Sequence, residues 1–209
     1  MVIAIDGPAG SGKSTIARKI AEELGFYFLN TGSFYRAYTL AQIEKGLDPL
    51  DQDSVLETAK SIVLSVENGD IHVDGVDVED KLHTPLIDKY SSPVSADPRL
   101  REHVNAQVRA LAKGMNIVTE GRDTTTVIFP DAEYKFYFDA SAEVRAKRRC
   151  AEHPDGPDYE SVLSEINKRD ERDKNKKVGA LKIADGAVYI DTTYLTIQQV
   201  CEKVLEAMK

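Results

Sequence analysis

Short apolar runs alternate with amphipathic stretches along most of the chain. Val2-Ile3-Ala4-Ile5 is continuously apolar, as expected of a strand buried on both faces. Ile16, Ala17, Ile20, Ala21 and Leu24 then recur at three-to-four spacing, which predicts a helix, and Gly25 predicts its end. Further strands are predicted at Phe26 to Leu29, Ile117 to Thr119, Tyr134 to Phe138 and Ala187 to Ile190. Helices are predicted over Ser33 to Lys45, Ser141 to Ala151, Tyr159 to Lys174 and Ile197 to Met208, the last opened by a Thr196/Gln199 capping box. Strands alternating with helices predict an α/β fold, a parallel five-stranded sheet with helices on both faces.

One stretch breaks the alternation. Ile62 to Val66, Ile71 to Val73 and Val76 to Val78 are short and β-branched, and Asn68-Gly69-Asp70 and Asp74-Gly75 separate them. This predicts a small antiparallel meander inserted at about residues 62–96. Asp97 as N-cap and Pro98 in the first helical position predict that the next helix starts there.

The chain has 209 residues, enough for one domain with a small insertion. Its formal net charge of −8 argues against a nucleic-acid partner, which selects a basic excess. Local arginine clusters still allow a small anionic substrate. Cys150 and Cys201 have no metal-type spacing, and His72, His83, His103 and His153 are scattered singly, so no protein-only metal site is predicted. The apolar opening, Val2 to Ile5, is too short for a leader or a membrane span. The expectation is a cytoplasmic protein, without a membrane or nucleic-acid partner, and monomeric for want of a heptad seam.

Gly7-Pro8-Ala9-Gly10-Ser11-Gly12-Lys13-Ser14 matches G-x-x-x-x-G-K-[ST] in full. It follows a buried strand and opens an amphipathic helix, which is the context the motif requires. Glycines let backbone N–H groups approach phosphates, and the helix N-terminus completes an anion cradle. Lys13 is then the charge for the β- and γ-phosphates, Ser14 the expected Mg²⁺ ligand, and Ser11 and Thr15 further donors. Glu120, at the end of the third strand, is a candidate carboxylate for the magnesium shell. The motif predicts a P-loop NTPase-type sheet that binds a nucleoside triphosphate with Mg²⁺.

A P-loop establishes nucleotide binding, not a reaction. Asn167-Lys168-Arg169-Asp170 matches the N-K-x-D by which GTPases read guanine, but it lies in a charged helical stretch, and no D-x-x-G occurs in the chain. Arginine placement favours phosphoryl transfer. Thr31, Gly32, Arg36, Arg122 and Asp123 follow strand ends, where ligands gather in a doubly wound sheet. Arg145, Arg148 and Arg149 share one helix, and Arg169, Arg172, Lys174, Lys176 and Lys177 crowd the next. Two phosphorylated substrates need several such cations to offset their repulsion. On this footing the catalytic candidates are Lys13, Arg122 and Arg169. A kinase for another small acceptor, and a P-loop switch or ATP-sensing module, stay open as alternatives.

The segments IDGPAGSGKST (Ile5 to Thr15), LNTGSFYRA (Leu29 to Ala37), GRDTTTVIFPDA (Gly121 to Ala132), ASAEVRAKRR (Ala140 to Arg149), RDERD (Arg169 to Asp173) and IDTT (Ile190 to Thr193), with the meander before Asp97, resemble bacterial cytidylate kinases nearly end to end. The resemblance implies transfer of the γ-phosphoryl group of ATP to CMP or dCMP. It implies that Ser92, Arg101 and Asp123 read the cytosine edge, and that Tyr35, Arg36, Arg122, Arg169 and Lys176 face the acceptor phosphate. By the same token Asp173 holds the pentose, Thr31 and Gly32 join the acceptor set, and Arg145 and Arg149 belong to a lid helix over the triphosphate. It implies a core of about 1–31 and 114–209, an acceptor-binding region of 32–113 with its β insertion, and a lid of about 150–178. The sequence departs from the family pattern at Lys176, His83, Thr125 and Ala180.

Overall fold

The computed structural model describes every residue except Asn68, His153 and Asp155. The predicted turn at Asn68 and the scattered histidine at 153 therefore lie outside the described residues. In chain order the elements are β1 (Val2–Asp6), α1 (Lys13–Leu24), β2 (Tyr27–Asn30), α2 (Thr31–Glu44), α3 (Gln52–Ser61), β3 (Leu64–Glu67), β4 (Asp70–Val73), β5 (Val76–Asp77), α4 (Pro85–Val94), α5 (Pro98–Ala112), β6 (Ile117–Gly121), β7 (Tyr134–Asp139), α6 (Ala142–Glu152), α7 (Tyr159–Lys174), β8 (Val188–Asp191) and α8 (Ile197–Ala207). As predicted, a five-stranded parallel sheet, in the order β2-β6-β1-β7-β8, is flanked by helices, and β3-β4-β5 form a small antiparallel sheet.

The chain divides into two compact units, Met1–Phe26 with Asn116–Lys209, and Tyr27–Met115. In the first, β1 lies between β6 and β7, and its register sets Asp6 level with Gly121 and with Tyr137. The residues that follow β1 and β6 thus leave the sheet side by side, at the carboxyl ends where ligands of such sheets bind. Ile3, Ile5, Ile16, Ile20, Val118, Phe136 and Phe138 are buried there. Each such side chain contributes about 1.5–3 kcal/mol relative to an exposed one. Ala146 of α6 and Val162 and Ile166 of α7 form a second seam, which fixes the two helices against each other. β8 is an edge strand on which Val188 and Tyr189 are exposed and Ile190 is buried, so its apolar run covers one face only.

In the second unit, α2 is buried along most of its length, with Phe34 and Tyr38 wholly enclosed. The Tyr38 hydroxyl lies 2.5 Å from Gln107 Oε1 of α5. Asp97 caps α5 through the amide of Arg99, and Pro98 stands in the first turn, as predicted. The reading of residues 62–96 as a meander is corrected in its second half. The strands end at Asp77, and Pro85–Val94 is the helix α4, capped by Thr84 and opened by Pro85. Two prolines hid this helix in the sequence, yet Pro85 is pre-set for a first turn, and Pro93 falls in the last, where it forgoes only the one bond its N–H would have donated back to the Lys89 carbonyl. The helix α3, capped by Asp51, is likewise absent from the sequence reading.

Candidate active site

Gly7 opens the loop after β1 because no other residue fits. A Cβ on Gly7 would lie 2.0 Å from the carbonyl oxygen of Phe138 on β7. Gly10 adopts φ +77° and packs against the Cβ of Arg145, 3.1 Å from where its own Cβ would be. Backbone can pass this closely only without side chains. Lys13 is buried at the start of α1, and its Nζ donates to the Pro8 carbonyl at 2.7 Å. Burial first, and then the charge of Arg122, pull its pKa down to about 7, against the opposing pull of Glu120 and Asp6. A buried amine in that state gains a great deal from an anion. Ser14, exposed on α1, donates its hydroxyl to Glu120 Oε1 of β6 at 2.7 Å. A hydroxyl and a carboxylate this close are the hard oxygen donors that Mg²⁺ prefers, so this pair fits the metal expected with a triphosphate. Among the described residues no group of three or more His, Cys, Asp or Glu side chains forms a protein-only metal cage.

Arg122 and Asp123 follow β6. Arg122 Nε donates to Asp173 Oδ2 of α7 at 2.8 Å, and Lys176 Nζ lies 3.0 Å from Asp173 Oδ1. Burial of Asp173 works against ionisation, but Arg122, then Lys176 and Arg169, hold its carboxyl well below the usual range. Asp123 is buried, and Thr124–Ile128 beyond it forms a single π-helical turn. Asp6 ties down the start of that turn. Its carboxylate accepts from the amides of Thr124 and Thr125 at 2.9 and 2.7 Å, and from the Thr125 hydroxyl at 2.5 Å. Burial raises the Asp6 pKa, and these bonds offset part of the rise.

Arg145 lies on α6. It is buried, with Nε on the carbonyl of Ala140, Nη1 on that of Ala9, and a bidentate pair to Asp170 of α7 at 3.1 and 2.6 Å. Arg149 and Arg169 are half-buried on α6 and α7. The N-K-x-D match lies wholly within α7, where Asp170 serves Arg145, so it has no strand end from which to read a base.

The remaining predicted residues belong to the second unit. Asn30 caps α2 by accepting from the amide of Gly32 at 2.9 Å, beside buried Thr31. Tyr35 and Arg101 are buried together, the guanidinium 5.5 Å from the ring centroid, and Arg101 Nη1 donates to the Ser95 carbonyl at 3.0 Å. Arg36 donates to Leu82 O and to Asp88 Oδ1 at 2.8 and 2.5 Å. Ser92 is buried on α4, and its hydroxyl makes no hydrogen bond among the described residues. Such a group ordinarily finds a partner, and a ligand is one.

Sequence reasoning assigned nothing to Asp6 or Thr192, counted Arg148 only among the cations of its helix, and met Asp170 only within the N-K-x-D match. Their signals were present in IDGPAGSGKST, ASAEVRAKRR, RDERD and IDTT, but their roles depend on tertiary contacts that no spacing encodes.

The sequence model of the family described as "Cytidylate kinase" matches residues 3–209. A cytidylate kinase of Caldanaerobacter subterraneus subsp. tengcongensis is 43% identical over 210 residues, which cover 99% of this chain and 94% of that protein. One from Clostridium botulinum strain Langeland is 41% identical over 210 residues, covering 99% and 97%. Among solved structures, a shikimate kinase from Bacteroides thetaiotaomicron superposes with a TM-score of 0.53 at 11% identity, over 100% of this chain and 98% of that one, a likeness of fold.

Proposed function

This chain belongs to the cytidylate kinase family and is a nucleoside monophosphate kinase, and on that premise we propose how its own residues pass the γ-phosphoryl group of ATP to CMP or dCMP. An oxygen of the acceptor phosphate attacks the γ-phosphorus in line, the bond to the β,γ-bridging oxygen breaks, and ADP and CDP or dCDP leave. The attacking oxygen is already anionic, so no strong general base is needed. Positioning and charge carry the rate.

The observation that carries the assignment is Lys13, a buried amine at a glycine-rich loop whose pKa is depressed to about 7. We assign it to the β- and γ-phosphates, whose charge restores its proton. Gly7, Pro8, Ala9, Gly10, Ser11, Gly12, Ser14 and Thr15 supply the rest of the triphosphate cradle, with Arg149 beside it. Ser14 and Glu120 would hold Mg²⁺, which when bound neutralises charge on the phosphate oxygens. Arg122 and Arg169 take the acceptor and transferring phosphates, aided by Lys176 and by Arg36 and Tyr35 of the second unit. Asp123 accepts from the exocyclic amine of cytosine, Arg101 donates to the ring carbonyl, Ser92 joins them, and Asp173 holds the pentose.

The test is an acceptor panel. Mg-ATP is incubated with CMP, dCMP, UMP, AMP, GMP, shikimate or no acceptor, and ADP release is followed. CMP and dCMP should drive release at least tenfold above the others. Release independent of acceptor, or driven by shikimate, would refute the assignment.

A further inference from the structure

The glycine-rich loop needs a means of keeping its amides turned toward phosphate. Gly10 and Gly12 have φ of +77° and +87°, and glycine crosses readily between backbone regions. In a trans peptide the carbonyl and the next residue's N–H point in opposite directions, and no cis peptide occurs among the described residues. Fixing the carbonyl of residue i therefore fixes the N–H of residue i+1 on the other side of the loop.

The structure shows such fixing next to both glycines. The Ala9 carbonyl, whose peptide carries the Gly10 N–H, accepts from Arg145 Nη1 at 3.1 Å. The Ser11 carbonyl, whose peptide carries the Gly12 N–H, accepts from Thr192 Oγ1 at 3.0 Å. Thr192 follows β8 and is buried, and its single hydroxyl proton is shared between Ser11 and the Asp139 carbonyl, also 3.0 Å away. Arg148 holds Thr192 in turn. Its Nη2 donates to the Thr192 carbonyl at 2.6 Å, its Nη1 lies 3.3 Å from Thr192 Oγ1, and a longer contact of 3.5 Å reaches the Gly10 carbonyl. A donor at Thr192 Oγ1 strengthens that hydroxyl as a donor to the loop.

We propose that Thr192 and Arg148 are positioning residues for nucleotide binding, which hold the loop's carbonyls outward so that the Gly10 and Gly12 amides stay turned to the triphosphate. Neither residue needs to touch the nucleotide. The Asp170–Arg145 pair does the same for Ala9, and it ties the loop to α7, the helix that also carries Arg169 and Asp173. This inference rests on the kinase assignment above.

Thr192→Val keeps shape and removes the hydroxyl, Thr192→Ser restores it, and Arg148→Ala removes the brace. Steady-state kinetics with Mg-ATP and CMP should show KM for ATP raised about tenfold in Thr192→Val, the equivalent of one ordinary hydrogen bond. KM for CMP should stay within about twofold and Thr192→Ser near the parent, since an interaction confined to ATP binding moves only that constant. Arg148→Ala should move KM for ATP in the same direction. An unchanged KM for ATP, a parallel rise for both substrates, or a serine variant no better than valine would overturn the proposal. Were Thr192→Val to lose its fold, Arg148→Ala, altering a half-buried side chain, decides between the same outcomes. Absence of transfer from ATP to CMP in the parent protein would instead refute the kinase assignment itself.

Discussion

Arg122 and Asp173 meet through a 2.8 Å bond from Nε to Oδ2, and the other oxygen of that carboxylate lies 3.0 Å from Lys176. Asp173 is buried and keeps two cations from repelling each other. Removing one partner of a buried pair costs about 3–5 kcal/mol, because the remaining charge is stranded. Asp173→Asn should therefore lower the unfolding free energy by about that amount at neutral pH. The pH dependence has a definite sign. A carboxylate with a depressed native pKa stabilises the fold above its unfolded value of 3.8 and loses that contribution as the pH falls. Urea unfolding at several pH values should show the gap between parent and variant narrowing below about pH 4. A gap that stayed constant into acid would sink this assignment.

Lys13 gives a second pH effect, now on binding. With its pKa depressed to about 7, the free protein loses this proton as the pH rises through neutrality. A bound polyphosphate favours the charged amine, so binding must return the proton. Mg-ATP affinity should fall above pH 7 by up to tenfold per pH unit. Calorimetry at pH 8 in buffers of different ionisation enthalpy should detect uptake of nearly one proton. Lys13→Ala should abolish both the uptake and phosphoryl transfer while the cooperative unfolding transition remains.

These effects mark the limit of what was legible in the sequence. The parallel sheet was readable because Ile3 to Ile5 and Phe136 to Phe138 are continuously apolar and buried, with no polar alternation inside either run. The P-loop was readable because its chemistry demands glycine, lysine and serine at fixed offsets. Helix α4 was not, since Pro85 and Pro93 act as breakers unless their places at its two ends are known. The partner of Asp170 was not either. Its side chain reaches Arg145, 25 positions earlier, through the packing of α6 on α7. Arg145 illustrates the difference. The resemblance put it on a helix over the triphosphate, whereas its bonds to the Ala9 carbonyl and to Asp170 could be read only from the packed structure.

Ser14 and Glu120 form the other short-range pair at the loop, 2.7 Å apart. If both serve Mg²⁺, removing either should raise the free magnesium concentration needed for half-maximal turnover. We expect a shift of about tenfold for Ser14→Ala, taking one lost oxygen contact to the ion on the scale of an ordinary hydrogen bond. Glu120→Gln should move it further, because it removes a charge as well as a donor. KM for CMP at saturating magnesium should change little. Magnesium titrations superimposable on the parent would remove the pair from the metal shell.

Asp123 allows a test of base reading by substitution of a single atom. Cytosine presents an amine where uracil presents a carbonyl, and a buried carboxylate accepts from the first and repels the second. Asp6 holds the turn that follows Asp123 through the amides of Thr124 and Thr125, so its backbone is fixed whatever the side chain. Asp123→Asn replaces one acceptor oxygen with an NH₂ donor at nearly constant volume. The amide can face either base, so the ratio of kcat/KM for CMP to that for UMP should fall at least about tenfold, or ~1.4 kcal/mol. KM for ATP should remain within about twofold, because an interaction with the acceptor base does not enter that constant. A loss shared equally by CMP and UMP would mean that Asp123 supports the fold of the site rather than choosing its base.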